Sequence, residues 1–391
     1  MEQNLIRKLL VISIFIIWGG ISNDVITQEI SDVKKVKDII IYADSMFYSA
    51  FPSVIKRPDG ELFVAFRRAP DRKVFGERYT NHLDPNSYLV MVRSDDGENW
   101  TKEPELIYAH PFGGSQDPCL LQMRDGSILC TSYAWAFLNP DRVSDTGKSY
   151  ISLANATFLG GYVIRTEDGK KWDGPFYPLH IDTKNYTPMG VHLPAYNRGA
   201  LYEAEDGRIL WAVAAAAEKT TKVHLITSED KGITWKYESL IAEDDKVAFN
   251  ETSIYETPKG DIVAFLRTEN YDGYATIARS VDGGKTFGKW ESMNFKGHPI
   301  NALRLPDNRV LLTYGYRHPP YGIRARILNP ECTDYKTAQE IILREDGANG
   351  DLGYTWPVLL NDGKVLIVYY FNKNNGIRHI AGTIIALEGH K

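Results

Sequence analysis

One two-strand unit recurs six times along the chain and restricts it to a narrow set of architectures. An apolar run, a tight polar turn and a longer apolar run appear in "SVIKRPDGELFVAF", "CLLQMRDGSILCTS", "ALYEAEDGRILWAV", "SIYETPKGDIVAFL", "NALRLPDNRVLLTY" and "PVLLNDGKVLIVYY". Each stretch is a β-hairpin signal. Gly60, Gly126, Gly207, Gly260 and Gly363 supply the positive φ that such turns demand, and Asn308 tolerates it in the fifth unit. The units lie roughly 50 to 80 residues apart, room for two further strands in each. The fold class expected is therefore all-β, a six-bladed β-propeller of four-stranded antiparallel blades. "KDIIIYA" near the start and "HIAGTIIAL" near the end are expected to pair within one blade, because closing the ring removes an exposed edge.

A second motif lies between the hairpins: "SDDGENW", "TEDGKKW", "SEDKGITW" and "SVDGGKTF". In each, hydroxyl and carboxylate oxygens can bond the amides of a tight turn while the terminal aromatic buries against the sheet. That is a structural staple, not a catalytic one. The strands "LVMVRS", "YVIRT", "VHLITS" and "ATIARS" lead into these turns and supply a third strand per blade.

At the N-terminus, Arg7 and Lys8 precede "LLVISIFIIW", too short to span a bilayer comfortably, and "GGIS" offers small residues for cleavage. Residues 1–22 read as a signal peptide, with an uncleaved membrane anchor as the alternative, 23–36 as an extension and 37–391 as one domain. The mature protein is expected to be exported, periplasmic or secreted, with no membrane insertion after cleavage. A net charge of -5 provides no broad basic field, which argues against nucleic acid as a partner. The 12% aromatic content suits a β-rich chain and also a sugar-binding one. Three cysteines, an odd number, rule out complete internal pairing. Cys119 and Cys130 flank one hairpin, and the reading favours two buried thiols over a disulfide. No zinc-type spacing appears, so neither a metal nor another cofactor is expected. Nothing in the sequence speaks for a particular oligomeric state.

Charge at one sheet rim is the chemical signal. In "FNETSIYETPKGDIVAFLR", an antiparallel hairpin brings Glu251 and Arg267 to the same open end. Such a pair can be purely structural, although burying one is costly without a reason. In a propeller, loops of one face converge on the central channel, so matching positions of different units meet there. Tyr354 holds nearly the place of Glu251 in the sixth unit. Asp84 lies in the loop after the first hairpin, and Arg324 opens the strand after the fifth, with Arg317 and Arg326 as neighbouring competitors. Asp117 in "SQDP", His192 in "GVHLPAYNRG" and His298 in "GHPIN" enter blades two, three and five and are candidates to line a binding site.

These residues resemble the exo-sialidases, six-bladed propellers with Asp-box turns of the "SVDGGKTF" kind. The resemblance covers essentially the whole mature chain. It rests on Asn250-Glu251 with Arg267 at a strand end, Tyr354 before the last Asp-Gly hairpin, Asp84 before "YLVMVRS", and Arg324 opening a strand. What it implies is a retaining mechanism with a Tyr354 nucleophile, a neutral group suited to an anomeric carbon that carries a carboxylate. Glu251 would take the phenol proton, Asp84 would serve as acid/base, and Arg267 and Arg324 would hold the substrate carboxylate. One departure is plain. Where the family has the Arg of an Arg-Ile-Pro motif, this chain has Ala50 in "SAFPSV". Arg67 or Arg68, at the end of the next strand, would have to fill the vacancy, and Arg68 is counted with the substrate-binding set. The leading expectation is a glycosidase acting on terminal acidic sugars of a glycan. A polysaccharide lyase with Tyr or His as base and a non-catalytic glycan-binding propeller stand as alternatives.

Overall fold

All six hairpins form, each as the first two strands of a four-stranded antiparallel sheet. The computed structural model describes residues 33–74, 76, 84–137, 156–178, 200–216, 219–374 and 376–387. The expected signal peptide and His192 lie outside them. The sheets are the blades of a six-bladed propeller, and the first strands of blades one and two, four and five, five and six, and six and one pack against one another around the centre. In blades one, two, four and six these inner strands are Phe47–Lys56, Gly114–Gln122, Ala248–Glu256 and Gly353–Leu359.

Five blades use four consecutive strands. The sixth combines the three C-terminal strands with the N-terminal Val33–Tyr42, which pairs antiparallel with His379–Leu387 as the sequence led us to expect. That strand begins at Val33, ahead of residue 37.

Blades stack face to face, so their second strands are buried on both sides. This accounts for continuous apolar runs such as "LFVAF", where strict alternation would mark a half-exposed strand. The core is divided into six clusters, one in each gap between blades. Val64 and Val90 meet Trp356 and Leu366 between blades one and six, and Phe63 and Met91 meet Leu120 and Ile164 between blades one and two. Full burial of one such side chain stabilises the fold by about 1.5–3 kcal/mol.

The Asp-box turns are stapled as anticipated. Ser280 Oγ donates to Asp282 Oδ1 at 2.7 Å, and Asp282 accepts from the Thr286 amide at 2.9 Å and its hydroxyl at 2.6 Å. These bonds lower the Asp282 carboxyl to a pKa of about 2. The turns also do something their sequence did not disclose. A Cβ on Gly284 would come within 2.6 Å of Leu225 in blade three, and one on Gly169 within 2.6 Å of Phe63 in blade one. Each of these glycines therefore lets a turn close against the preceding blade.

Cys119 and Cys130 are buried thiols. Their placement excludes a disulfide, because Cys130 lies opposite Leu120, not Cys119, and adjacent strand residues point to opposite faces. Accordingly they belong to different core clusters. Reductant is expected to leave the melting temperature unchanged in a thermal scan; a fall would show a bond between these sulfurs.

Candidate active site at the channel mouth

The site is built on a repeated irregularity. Near the rim, four inner strands slip register against their partners, between Ala50 and Ser53, Gln116 and Cys119, Phe249 and Thr252, and Gly353 and Trp356. A bulge turns a side chain out of the ladder. The residues inside these bulges include Phe51, Asp117, Glu251 and Tyr354. Three of them hold positive φ, 58° at Phe51, 36° at Asp117 and 55° at Tyr354. A non-glycine residue in that region costs about 1–3 kcal/mol, which the surrounding packing must offset.

Gly353 makes the bulge of blade six possible. It has φ 107°, and a Cβ there would lie 2.9 Å from the Gly315 Cα in blade five. Gly353→Ala is expected to lower stability by about 2 kcal/mol in urea unfolding and to displace Tyr354. An unchanged midpoint would remove the close approach as its cause.

Glu251, Tyr354 and Arg267 meet across the channel. The Tyr354 hydroxyl donates to Glu251 Oε1 at 2.5 Å, and Arg267 Nη1 donates to Glu251 Oε2 at 2.5 Å and to the Tyr354 oxygen at 3.0 Å. Glu251 and Tyr354 are both buried. Burial pushes the Tyr354 phenol well above its usual range, and the Glu251 charge adds to this. For Glu251, burial acts upward but is outweighed by the Arg267 charge and the bonds from Tyr354 and Arg267, so its carboxyl falls below the usual range. The resting pair is a neutral phenol donating to a carboxylate, the arrangement needed to draw a proton from an attacking oxygen. Asn250 and Glu269 brace it, with Asn250 Nδ2 and Arg267 Nη2 reaching Glu269 at 3.0 and 3.3 Å.

A second guanidinium at this cluster comes from Arg317, not Arg324. Arg317 closes over the Tyr354 ring with 5.1 Å between Cζ and ring centroid. It donates to the Leu352 carbonyl at 3.0 Å and the Tyr370 hydroxyl at 3.2 Å. The expectation for Arg324 is corrected: its buried guanidinium bonds the carbonyls of Arg344, Ile323 and Pro320 and lies 4.9 Å from the Tyr316 ring. The signal for Arg317 was in the repeat, since it follows the second strand of blade five much as Arg267 nears the end of that strand in blade four.

Arg68 is corrected in the same way. It donates to Asp44 at 2.8 Å and Tyr88 at 2.9 Å and stacks 3.5 Å over Phe47, which commits it to blade one. Arg67 is the inward residue. It lies opposite Ala50, so the two side chains share a face, and it is fully buried behind the Tyr48 and Phe51 rings, 5.7 Å from each. Burial depresses its pKa, while Tyr48 and the charges of Asp84 and Asp117 act against that.

Asp84 is buried and tightly held. Arg72 grips its carboxylate with Nε at 2.6 Å and Nη2 at 2.9 Å, and the Asn86 amide donates to it at 2.8 Å. Its turn rests on Gly114, where a Cβ would fall 1.8 Å from the Asp84 carbonyl oxygen. Asp117 accepts from the Tyr133 hydroxyl at 3.1 Å. His298 stands beside Arg317 and Arg267, and burial together with those two charges pushes its pKa down to about 2, so it is neutral at any working pH. Sequence reasoning did not single out Arg72, Tyr133, Tyr370 or Asp351, the carboxylate that Tyr370 meets.

Repeated hairpins, Asp-box turns and a six-bladed ring define a propeller of the BNR-repeat class. The chain belongs to the BNR repeat-like domain family, whose sequence pattern matches residues 152–367. It is 24% identical over 326 residues to a sialidase of Micromonospora viridifaciens, covering 78% of this chain but only 45% of that protein's length. A crystal structure of a Dyadobacter fermentans protein of unknown function is 62% identical, with a TM-score of 0.88, across 92% of this chain and 100% of the other. A NanB sialidase of Streptococcus pneumoniae has the same fold at 14% identity, with a TM-score of 0.59 over 90% of this chain and 70% of its own.

Proposed function

We propose that the protein is a retaining glycoside hydrolase of the sialidase-like superfamily that removes terminal acidic sugars from glycans and acts in exported form. The observation that carries this reading is the hydrogen-bonded cluster of Tyr354, Glu251 and Arg267. Tyr354 attacks the anomeric carbon as Glu251 takes its proton, forming a tyrosyl glycoside. When substrate displaces the Arg72 fork, Asp84 takes up a proton from solvent and passes it to the departing oxygen; it then takes a proton from the water that attacks the anomeric carbon, while the tyrosyl bond breaks and Glu251 returns its proton to Tyr354. Arg267 and Arg317 hold the substrate carboxylate. His298 and Asp117 serve as hydrogen-bonding partners for sugar hydroxyls.

The test is product formation from aryl glycosides of sialic, keto-deoxy, uronic and neutral sugars. Release from an acidic ketoside, with the anomeric configuration retained in the first-formed product, supports the reading. An unsaturated, ultraviolet-absorbing product would replace it with a lyase. Glycan binding without turnover of any substrate would replace it with a lectin-like propeller.

A further inference from the structure

Asp351 lies three residues before Tyr354 and gathers groups from blade six and the adjacent blade one. Its carboxylate accepts from the Tyr48 hydroxyl at 2.9 and 3.1 Å, from the Tyr370 hydroxyl at 3.0 Å and from Arg378 Nε at 2.8 Å. Tyr370 in turn accepts from Arg317 Nη2 at 3.2 Å, so donors run in one direction from Arg317 through Tyr370 to Asp351. The other anchor of Arg317 is the carbonyl of Leu352, the next residue. The segment is itself fastened: Asn372 Nδ2 donates to the Asp351 carbonyl at 2.5 Å, and the Asp351 amide donates to Asn349 Oδ1 at 3.0 Å. Tyr370 and Tyr48 are buried, and the Tyr370 ring stands 5.7 Å from that of Tyr354.

We propose that Asp351 is a positioning residue: through Tyr370 it fixes the Arg317 guanidinium over the Tyr354 ring and so sets how tightly the site takes a substrate carboxylate. The inference rests on the hydrolase reading for its kinetic consequence. Its geometric content stands apart from that reading. A guanidinium on a flexible stem must be ordered before it can form a two-point bond, and a relay ending in a charge holds it in place before substrate arrives. With Ala50 in the position where an arginine was expected and Arg67 fully buried 5.7 Å from the Phe51 ring, the placement of Arg317 matters more than it would in a site with an arginine at position 50.

The experiment uses the full chain with Asp351→Asn and, independently, Tyr370→Phe, which breaks the same relay at its middle and leaves the ring in place. Substrates are an acidic aryl ketoside and its methyl ester. Both variants are expected to raise KM for the acid about tenfold, the loss of roughly one charge-assisted hydrogen bond. The kcat, and KM for the ester, should stay within about twofold. Equal effects on acid and ester, or none, overturn the proposal and leave the hydrolase reading intact. A crystal structure of either variant gives a readout free of turnover: Arg317 is expected to leave its place over Tyr354, and an unmoved Arg317 overturns the proposal. Absence of turnover in the unmodified protein counts against the hydrolase reading alone, because the crystal structure still decides whether Asp351 positions Arg317.

Discussion

Tyr354→Phe is expected to lower kcat on an acidic aryl ketoside by at least about 10³-fold with little loss of folding. The hydroxyl is the group held at the centre of the cluster, 2.5 Å from the base that would take its proton. Removing one oxygen leaves the ring packed against Phe51 and Tyr370, at centroid distances of 4.8 and 5.7 Å, and leaves Glu251 paired with Arg267. Stability should therefore fall by about 1.5–3 kcal/mol, the value of a hydrogen bond to a charged group. Glu251→Gln should cost about 10²–10⁴-fold in rate, since the amide keeps the shape but cannot take a proton. Stopped or continuous release of the aryl group measures both, with circular dichroism as the check on folding. Activity of Tyr354→Phe within tenfold of the unmodified protein would exclude the phenol as nucleophile.

Arg267→Met is expected to destabilise the protein by about 3–5 kcal/mol at neutral pH, because it strands the buried Glu251 carboxylate. The pH dependence gives the claim its sign. In the unmodified protein the Glu251 carboxyl is held low, with burial outweighed by Arg267. Its contribution to stability is thus complete above the unfolded value of about 4.3 and is lost as pH falls through the folded one. Without the guanidinium, burial outweighs what Tyr354 and Arg317 still provide, and the folded pKa rises above the unfolded value. The penalty is then relieved as pH falls and the carboxyl takes up its proton. Urea unfolding at several pH values between 7 and 4 should show the gap between the two proteins narrowing on acidification. A gap that stays constant over that range would mean that Glu251 is not the group left stranded.

The hairpins and Asp boxes were legible because they are local: a turn residue, an alternation of apolar and polar positions, and a hydroxyl two residues from an Asp act within a few residues. Pairing of the terminal strands was legible from a topological need. Glu251, Tyr354 and Arg267 could be placed together because the repeat makes equivalent positions neighbours. Arg324 failed for a related reason. Opening a third strand resembles a site position in sequence, but the side chain turns into its own blade, where three carbonyls hold it. Arg317 was within reach of the repeat pattern, but the part played by Asp351 depends on contacts between blades, Tyr370 with Arg317 and Tyr48 with Asp351, that no local pattern announces. The grip of Arg72 on Asp84 likewise joins residues twelve positions apart that no local pattern pairs.

The clasp between the two ends of the chain bears on the order in which the protein is assembled. Asp38 and Thr383, joined by a hydrogen bond of 2.7 Å, stand 345 residues apart in sequence. The strand made first is consequently the last to find its partner, and until then His379–Leu387 has no fourth strand beside it. Exposed Lys34, Lys35 and Lys37 on Val33–Tyr42 are well suited to keep that waiting strand from pairing with another molecule. Once the ring has closed, opening it means parting eight paired positions of ladder at a single seam, so the lifetime of the folded state should be governed by that seam more than by the strength of any one blade.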